Sequence, residues 1–429
     1  MAAARFAKRP SRAFMAAAGI GNIYAGANDE ASENQVPESL ALTDSRVAAA
    51  NEAARSVTAA DLEPRIVKET FDYLMAEGPA AMEYFYARLF ATSPDTRALF
   101  PLSMTEQRER VFGTLAGLLS SLDNQPGTAE TLAHLGRDHR RFGVTEKHYA
   151  SFFATLRDTA EHFIGEAWSD ETAAAWQAAL DFISETMRAE AALDARTSPP
   201  WWVAEIVSHE LRSPGVGVLR LRPSQRLRYE PGQYVTVQVT RWPRAWRRYS
   251  IANAPRATGL IELHVRAVPG GLVSNSLVYH SAVGDSVVLG AAAGSMTLTD
   301  TDRDLLCVAG GTGLAPIKAI IERALASPSG WRQRKITLFV GARQTFDLYD
   351  LEDLQLLELA CPALRVIPVL SEEPGYAGLC GLLPEVIGGH GLFENTEAYI
   401  CGPDAMVRQT TALLSASLPA AQIHYDPLP

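Results

Sequence analysis

Cysteine is scarce in this chain: four residues in 429, at Cys307, Cys361, Cys380 and Cys401, each standing alone. No Cys-x-x-Cys pair occurs, so the spacing of an iron–sulfur cluster or structural zinc is missing. The usage suits a reducing, cytoplasmic setting. Long apolar runs are also missing, and no membrane span is expected. Nor is there a basic excess: 39 Lys and Arg stand against 49 Asp and Glu, a formal charge of −10. That excludes a general nucleic-acid binder, whose footprint is basic, while leaving room for a local positive pocket. The first 44 residues join a basic start, a short glycine-rich apolar stretch and a polar end. They read as a disordered tail, with a signal peptide as the alternative.

What the chain has instead is three successive patterns and no internal repeat. Residues 45–195 lack strand signals and carry apolar residues at helical spacing. Helices are predicted after Asp61-Leu62-Glu63-Pro64, over 66–90 with a break at Gly78-Pro79, and over 104–119, 132–139, 148–163 and 171–193. Breaks fall at Pro101 and 124–127. Ser198-Pro199-Pro200 is a boundary. Residues 196–299 become short strand runs separated by Gly and Pro, which predicts a small antiparallel β-barrel. Residues 300–429 alternate strand and helix, which predicts an α/β parallel-sheet domain. The chain is therefore expected to be multidomain, with an all-α, a β-barrel and an α/β part.

Gly310-Gly311-Thr312-Gly313 follows an apolar strand and opens a helix. Glycines let backbone approach a pyrophosphate, and the helix start supplies unpaired N–H groups. Pro316 is tolerated in that first turn. The string is not the usual GxGxxG, and a plain glycine turn is the alternative. Cys401-Gly402-Pro403 repeats the logic at a later strand end, where ligands bind in open α/β sheets. Cys401 can lie beside a nicotinamide or be a small buried residue. Arg343 can meet adenosine or a 2′-phosphate, or be solvated. Asp347 and Asp350 nearby favour NADH over NADPH on charge.

Upstream, Arg247-Arg248-Tyr249-Ser250 begins a predicted strand. Arg247 offers a planar donor fork for a pyrophosphate. Tyr249 can flank an isoalloxazine, and Ser250 can donate near flavin N5. Gly270-Gly271-Leu272-Val273-Ser274 offers a second glycine turn into a helix start. Tyr234 can contact the adenine or ribitol end. Strand packing alone also accounts for both tyrosines. Among nine histidines, His139 leaves a short helix in aromatic company, a setting for an axial haem ligand.

The pattern RxYS at Arg247–Ser250, GGTGxAP from Gly310 and CGP from Cys401 resembles the ferredoxin–NADP reductase superfamily over about 230 residues. The resemblance implies non-covalent FAD rather than FMN, with hydride delivered to N5. The superfamily often ends in an aromatic over the flavin; here Leu428 stands near that place. The run Tyr84-Phe85-Tyr86, then Ser93-Pro94, Leu99-Phe100-Pro101, Gln107 and the segment around His139 resembles the globin domain of flavohaemoglobins.

Within that resemblance His139 is the proximal ligand of haem b, and Phe100 is the aromatic that wedges the haem. Tyr86 and Gln107 hydrogen-bond bound O2, and Val111 lines the distal cavity. Tyr149 orients the proximal histidine. Glu190, or else Glu185, stands for the proximal glutamate. Arg137, Arg140 and Arg141 can pair with propionates, face the reductase, or be solvated. The implied activity is nitric oxide dioxygenation with O2 and NADH or NADPH, by a monomer or weak homo-oligomer. A haem-assisted NAD(P)H oxidase or reductase of another acceptor, and a flavin-reset O2 or NO sensor, are the alternatives.

Overall fold

The computed structural model describes residues 62–101, 103–326, 334–391, 393 and 395–426. The expected tail over 1–44, Asp61 and Leu428 lie outside them, while the helix expected to open at Leu62-Glu63-Pro64 does begin at Pro64. Among the described residues six α-helices come first: α1 (Pro64–Ala76), α2 (Gly78–Thr92), α3 (Thr105–Ser120), α4 (Gln125–Arg140), α5 (Glu146–Ile164) and α6 (Asp170–Ala195). α4 starts well before residue 132, because Pro126 falls in its first turn. A proline there lacks an N–H that has no helical partner anyway, so 124–127 opens a helix instead of breaking one. Val67, Phe85, Leu89, Leu119, Trp176 and Phe182 fill one core. The Trp176 indole N–H donates to Thr70 Oγ1 at 2.9 Å, tying α6 to α1. α4 crosses α6 at Gly136, where a Cβ would lie 2.2 Å from the Met187 carbonyl oxygen. Only glycine allows that approach.

Strands β1 (Trp202–Ser213), β2 (Val216–Pro223), β3 (Tyr234–Val239), β4 (Arg247–Ser250) and β5 (Ile261–Arg266) follow. A four-residue helix α7 (Leu272–Asn275) and β6 (Ser286–Leu289) complete the set. The strands form an antiparallel sheet in the order β4-β3-β6-β1-β2-β5. A bridge between Ile251 and Leu263 joins its two edges, which closes the expected barrel. Inward-facing Ile206, Leu219, Val235, Val237 and Leu263 fill it.

The last third has β7 (Asp304–Gly310), α8 (Leu314–Ala326), β8 (Ile336–Ala342), α9 (Leu351–Ala360), β9 (Leu364–Leu370) and β10 (Leu379–Cys380). It ends with α10 (Leu383–Gly388), β11 (Thr396–Cys401), α11 (Asp404–Leu414) and β12 (Ile423–His424). The sheet is parallel, in the order β10-β9-β8-β7-β11-β12. Chain order reverses at β7, flanked by β8 and β11. That reversal opens a crevice beyond the carboxyl ends of β7 and β11, the usual ligand position in such sheets. No described helix is long and apolar enough to cross a membrane.

Candidate functional site

The switch point carries both glycine motifs. Gly310 ends β7, Gly311 has φ of +55°, and α8 begins just after Gly313. Thr312 is half-buried in that turn. A Cβ on Gly313 would lie 2.3 Å from the Cys401 carbonyl oxygen. One on Gly310 would lie 2.7 Å from Met406 Sδ, and one on Gly402 2.7 Å from Met406 Cε. The two turns thus touch through backbone, and Pro403 leads directly into α11. Burial pushes the Cys401 thiol up to about 12, so it is a neutral thiol and not a nucleophile at neutral pH. A crevice beside this turn is lined by Gly311, Leu314, Gly341, Asp347 and Tyr349.

Arg343 is exposed just past β8, with Glu372 Oε1 at 4.0 Å. Asp350, half of the acidic pair used to favour NADH, is buried against Lys318 and Arg212. Its charge is compensated there, so the acid beside Arg343 is Glu372.

In the barrel, Tyr234 pairs with Ser250 and Val235 with Tyr249. Arg247 is exposed, with Nη1 donating to the Trp246 carbonyl at 2.9 Å. The Arg248 guanidinium lies over the Tyr234 ring, 5.1 Å from its centroid. Burial raises the Tyr249 phenol above its ordinary range. Gly270 has φ of +73° with open space where a Cβ would go. Gly271 precedes α7. Val273 is buried in the barrel core, and the Ser274 hydroxyl accepts from the Val268 N–H at 3.3 Å. The Ser274 hydroxyl and the Gly271 N–H, which donates to the Val268 carbonyl at 3.0 Å, hold the turn ahead of a helix of one turn.

In the helical domain, His139 sits in the last turn of α4. Its Nδ1–H donates to the Leu135 carbonyl at 2.6 Å, which directs the Nε2 lone pair outward. Burial lowers its pKa, so the ring is neutral. The Tyr149 ring lies 6.3 Å from the His139 ring, and its hydroxyl has no hydrogen-bond partner. Glu190 is 1% exposed; one oxygen pairs with Arg137 and Oε2 has no partner. Glu185 is exposed, so the buried carboxylate of α6 near this face is Glu190. Arg140 pairs with Asp194 and Arg141 with Asp138.

On the other side, Tyr86 is 2% exposed and lies edge-on to Phe100 at 5.4 Å. Burial raises its phenol, opposed by the Gln107 amide and Arg108. Gln107 faces the hydroxyl without closing a hydrogen bond of normal geometry, and that hydroxyl is unpartnered. Phe100 and Val111 pack half-buried against the core. Three buried, unpartnered polar atoms (on Tyr86, Tyr149 and Glu190) together with a neutral histidine fit a haem pocket. Most buried polar groups in folded proteins have a partner, so three orphans in the domain that bears His139 point to a bound group.

Residues 83–187 match the Globin family, 203–297 the Oxidoreductase FAD-binding domain family and 307–412 the Oxidoreductase NAD-binding domain family. The chain has the flavohaemoglobin architecture, a globin joined to an FAD- and NAD-binding oxidoreductase. A flavohaemoglobin structure from Malassezia yamatoensis superposes with TM-score 0.69 over 85% of this chain and 97% of that one, at 16% identity. That likeness is one of fold. The reductase half belongs with the terephthalate 1,2-dioxygenase reductase component 2 of Comamonas sp., 34% identical over 52% of this chain and 67% of that protein. The xylene/toluene monooxygenase electron transfer component of Pseudomonas putida is 36% identical over 43% of this chain and 53% of its own length. The chain spans roughly half to two thirds of the length of the curated relatives it matches. The domain composition supports binding of haem, FAD and a nicotinamide dinucleotide.

Two features escaped the sequence reading. The Phe142 ring, just past α4, meets Trp246 edge-on at 6.3 Å, with Arg141 over both rings. Arg244, with φ of 69°, donates from Nη1 to the Ala98 and Phe100 carbonyls at 3.1 and 3.3 Å. The segment 242–246 thus joins the corner carrying Phe100 and the end of α4 to the strand holding Arg247. The signal was the pair Trp242 and Trp246 just before RRYS, in a segment whose partners lie over 100 residues upstream.

Proposed function

We propose that this flavohaemoglobin-type chain is a nitric oxide dioxygenase, binding haem b and FAD and using NADH and O2 to convert nitric oxide to nitrate. The observation that carries the reading is the buried, unpartnered Tyr86 hydroxyl, faced by Gln107 and placed beside Phe100 in the globin that bears His139. When bound, haem supplies the oxygen site, FAD divides an electron pair into single electrons, and NADH supplies that pair.

His139 Nε2 would hold the iron, with the ring oriented by the Leu135 carbonyl and flanked by Tyr149. Glu190 and Tyr149 each keep a buried polar atom for the proximal side. Tyr86 and Gln107 would donate to the negative charge that develops on the distal ligand, in a site with little water to screen it. The Gly310–Gly313 turn and the helix start after Gly270–Gly271 would supply backbone donors for pyrophosphates, and Arg247 would supply a cationic fork. Glu372 beside Arg343 opposes a second anion there and favours NADH.

The test is Tyr86→Phe. NO-dependent NADH oxidation should fall by roughly 10²-fold, the usual cost of losing one such donor. An unchanged rate would remove the distal role. The electron-transfer relatives favour a second reading, a reductase for another acceptor. Vigorous NADH consumption with that acceptor and none with NO would select it.

A further inference from the structure

A buried charge cluster joins the barrel to the dinucleotide domain. Lys318 on α8 donates to Asp350 Oδ2 at 2.8 Å and to Glu262 Oε1 on β5 at 3.3 Å. Arg220 on β2 reaches Glu262 at 2.9 Å. His264 bridges Glu262, at 3.2 Å, to the Tyr349 hydroxyl, at 2.8 Å. Arg212 at the end of β1 pairs with Asp350 and Asp353. One turn after Lys318, Glu322 accepts from the Ala254 N–H at 3.0 Å and from Arg256 at 3.0 Å, both on the barrel side. The helix whose first residue follows the Gly310–Gly313 turn is therefore fastened to the barrel at two successive turns. Tyr349 carries the cluster into the crevice beside that turn.

We propose that Lys318 and Glu322 are positioning residues for hydride transfer: they hold the dinucleotide turn at the head of α8 in a set place over the flavin barrel. The inference rests on the reading that NADH reduces FAD here. In that step NADH loses its C4 hydrogen with the bonding pair and becomes NAD+; FAD takes both at N5. Hydride transfer needs close, aligned atoms, and a shift of about 1 Å costs roughly 10²-fold. Fastening by ion pairs places that constraint on side chains that touch neither cofactor turn.

The experiment is anaerobic flavin reduction by NADH in the FAD-loaded full chain, for K318M, E322Q and K318R. K318M and E322Q should lower the limiting rate roughly ten- to hundredfold while the Kd for NADH stays within about twofold. K318R should restore most of the rate. Hydrogen exchange of α8 and β5 amides should quicken in K318M and E322Q. An unchanged limiting rate in E322Q and K318M, or a loss carried wholly by Kd, overturns the proposal. If K318M does not load FAD, E322Q decides, because it removes the charge that pairs with Arg256 while keeping the side chain's volume. Should the wild-type flavin not be reduced by NADH, the reductase reading fails instead. The exchange of α8 and β5 then judges the fastening by itself, unchanged protection overturning it.

Discussion

At the scale of single residues, Glu262 shows what a buried carboxylate needs. Burial alone would raise its pKa, yet Lys318, His264 and Arg220 together hold it well below the ordinary carboxylate range. A depressed folded-state pKa gives stability that is present above the unfolded value, about 4.3, and is lost as pH falls through the folded value. Lys318 is shifted the other way by Asp350 and Glu262 against the pull of burial, so its contribution is lost only as pH rises past about 10.4. The Glu262→Gln variant should melt lower than wild type from pH 5 to 9, by an amount equivalent to about 3 kcal/mol, and the gap should close in strong acid. A gap that widens in acid would contradict this pairing. Cysteine reactivity follows from burial in the same way. Burial raises the Cys307 and Cys401 thiols to about 12, whereas Cys380 is exposed. A thiol reagent on the native protein should label Cys380 first, as peptide mapping would reveal; prior labelling of Cys401 would refute the buried strand-end placement. The sequence hint for the cluster was Glu262 and His264, two titratable groups two apart on one face of an apolar strand. Their partner Lys318 lies in another domain, so local pattern could not supply it.

At the scale of elements, glycine marks where backbones meet. Gly136 lets α4 cross α6, and Gly313 lets the GGTG turn touch the end of β11. Gly136→Ala should cost about 1–3 kcal/mol, as overpacking does, and weaken haem retention, read as faster haem loss to an acceptor globin. Gly313→Ala should raise the KM for NADH while haem retention stays as in wild type. The strands, the parallel sheet and both glycine turns were legible, because period-2 runs and Gly after an apolar strand are local signals. The start of α4 was misread since proline opens a helix as readily as it ends one. The roles proposed for Tyr86 and Gln107 rest on resemblance, whereas the unpartnered hydroxyl comes from the packing of α2 against Phe100.

At the scale of the whole molecule, the globin and the barrel meet at Phe142, Trp246, Arg141 and Arg244. Trp246 is chemically continuous with Arg247, and Phe142 lies 6.2 Å from the His139 ring. Trp246→Ala should therefore leave flavin reduction by NADH at the wild-type rate and slow the reduction of haem severalfold in stopped-flow absorption. Equal slowing of both steps would mean that the contact supports folding alone. Holding reductase and globin in one chain raises their effective concentration for each other, which suits repeated single-electron delivery. The most direct test of the account uses the protein loaded with haem and FAD, reduced anaerobically with NADH, given O2, and then NO. The account predicts rapid conversion of the oxygenated ferrous spectrum to ferric, stoichiometric nitrate, and a further cycle only while NADH remains. An oxygenated form that persists in the presence of NO would contradict it.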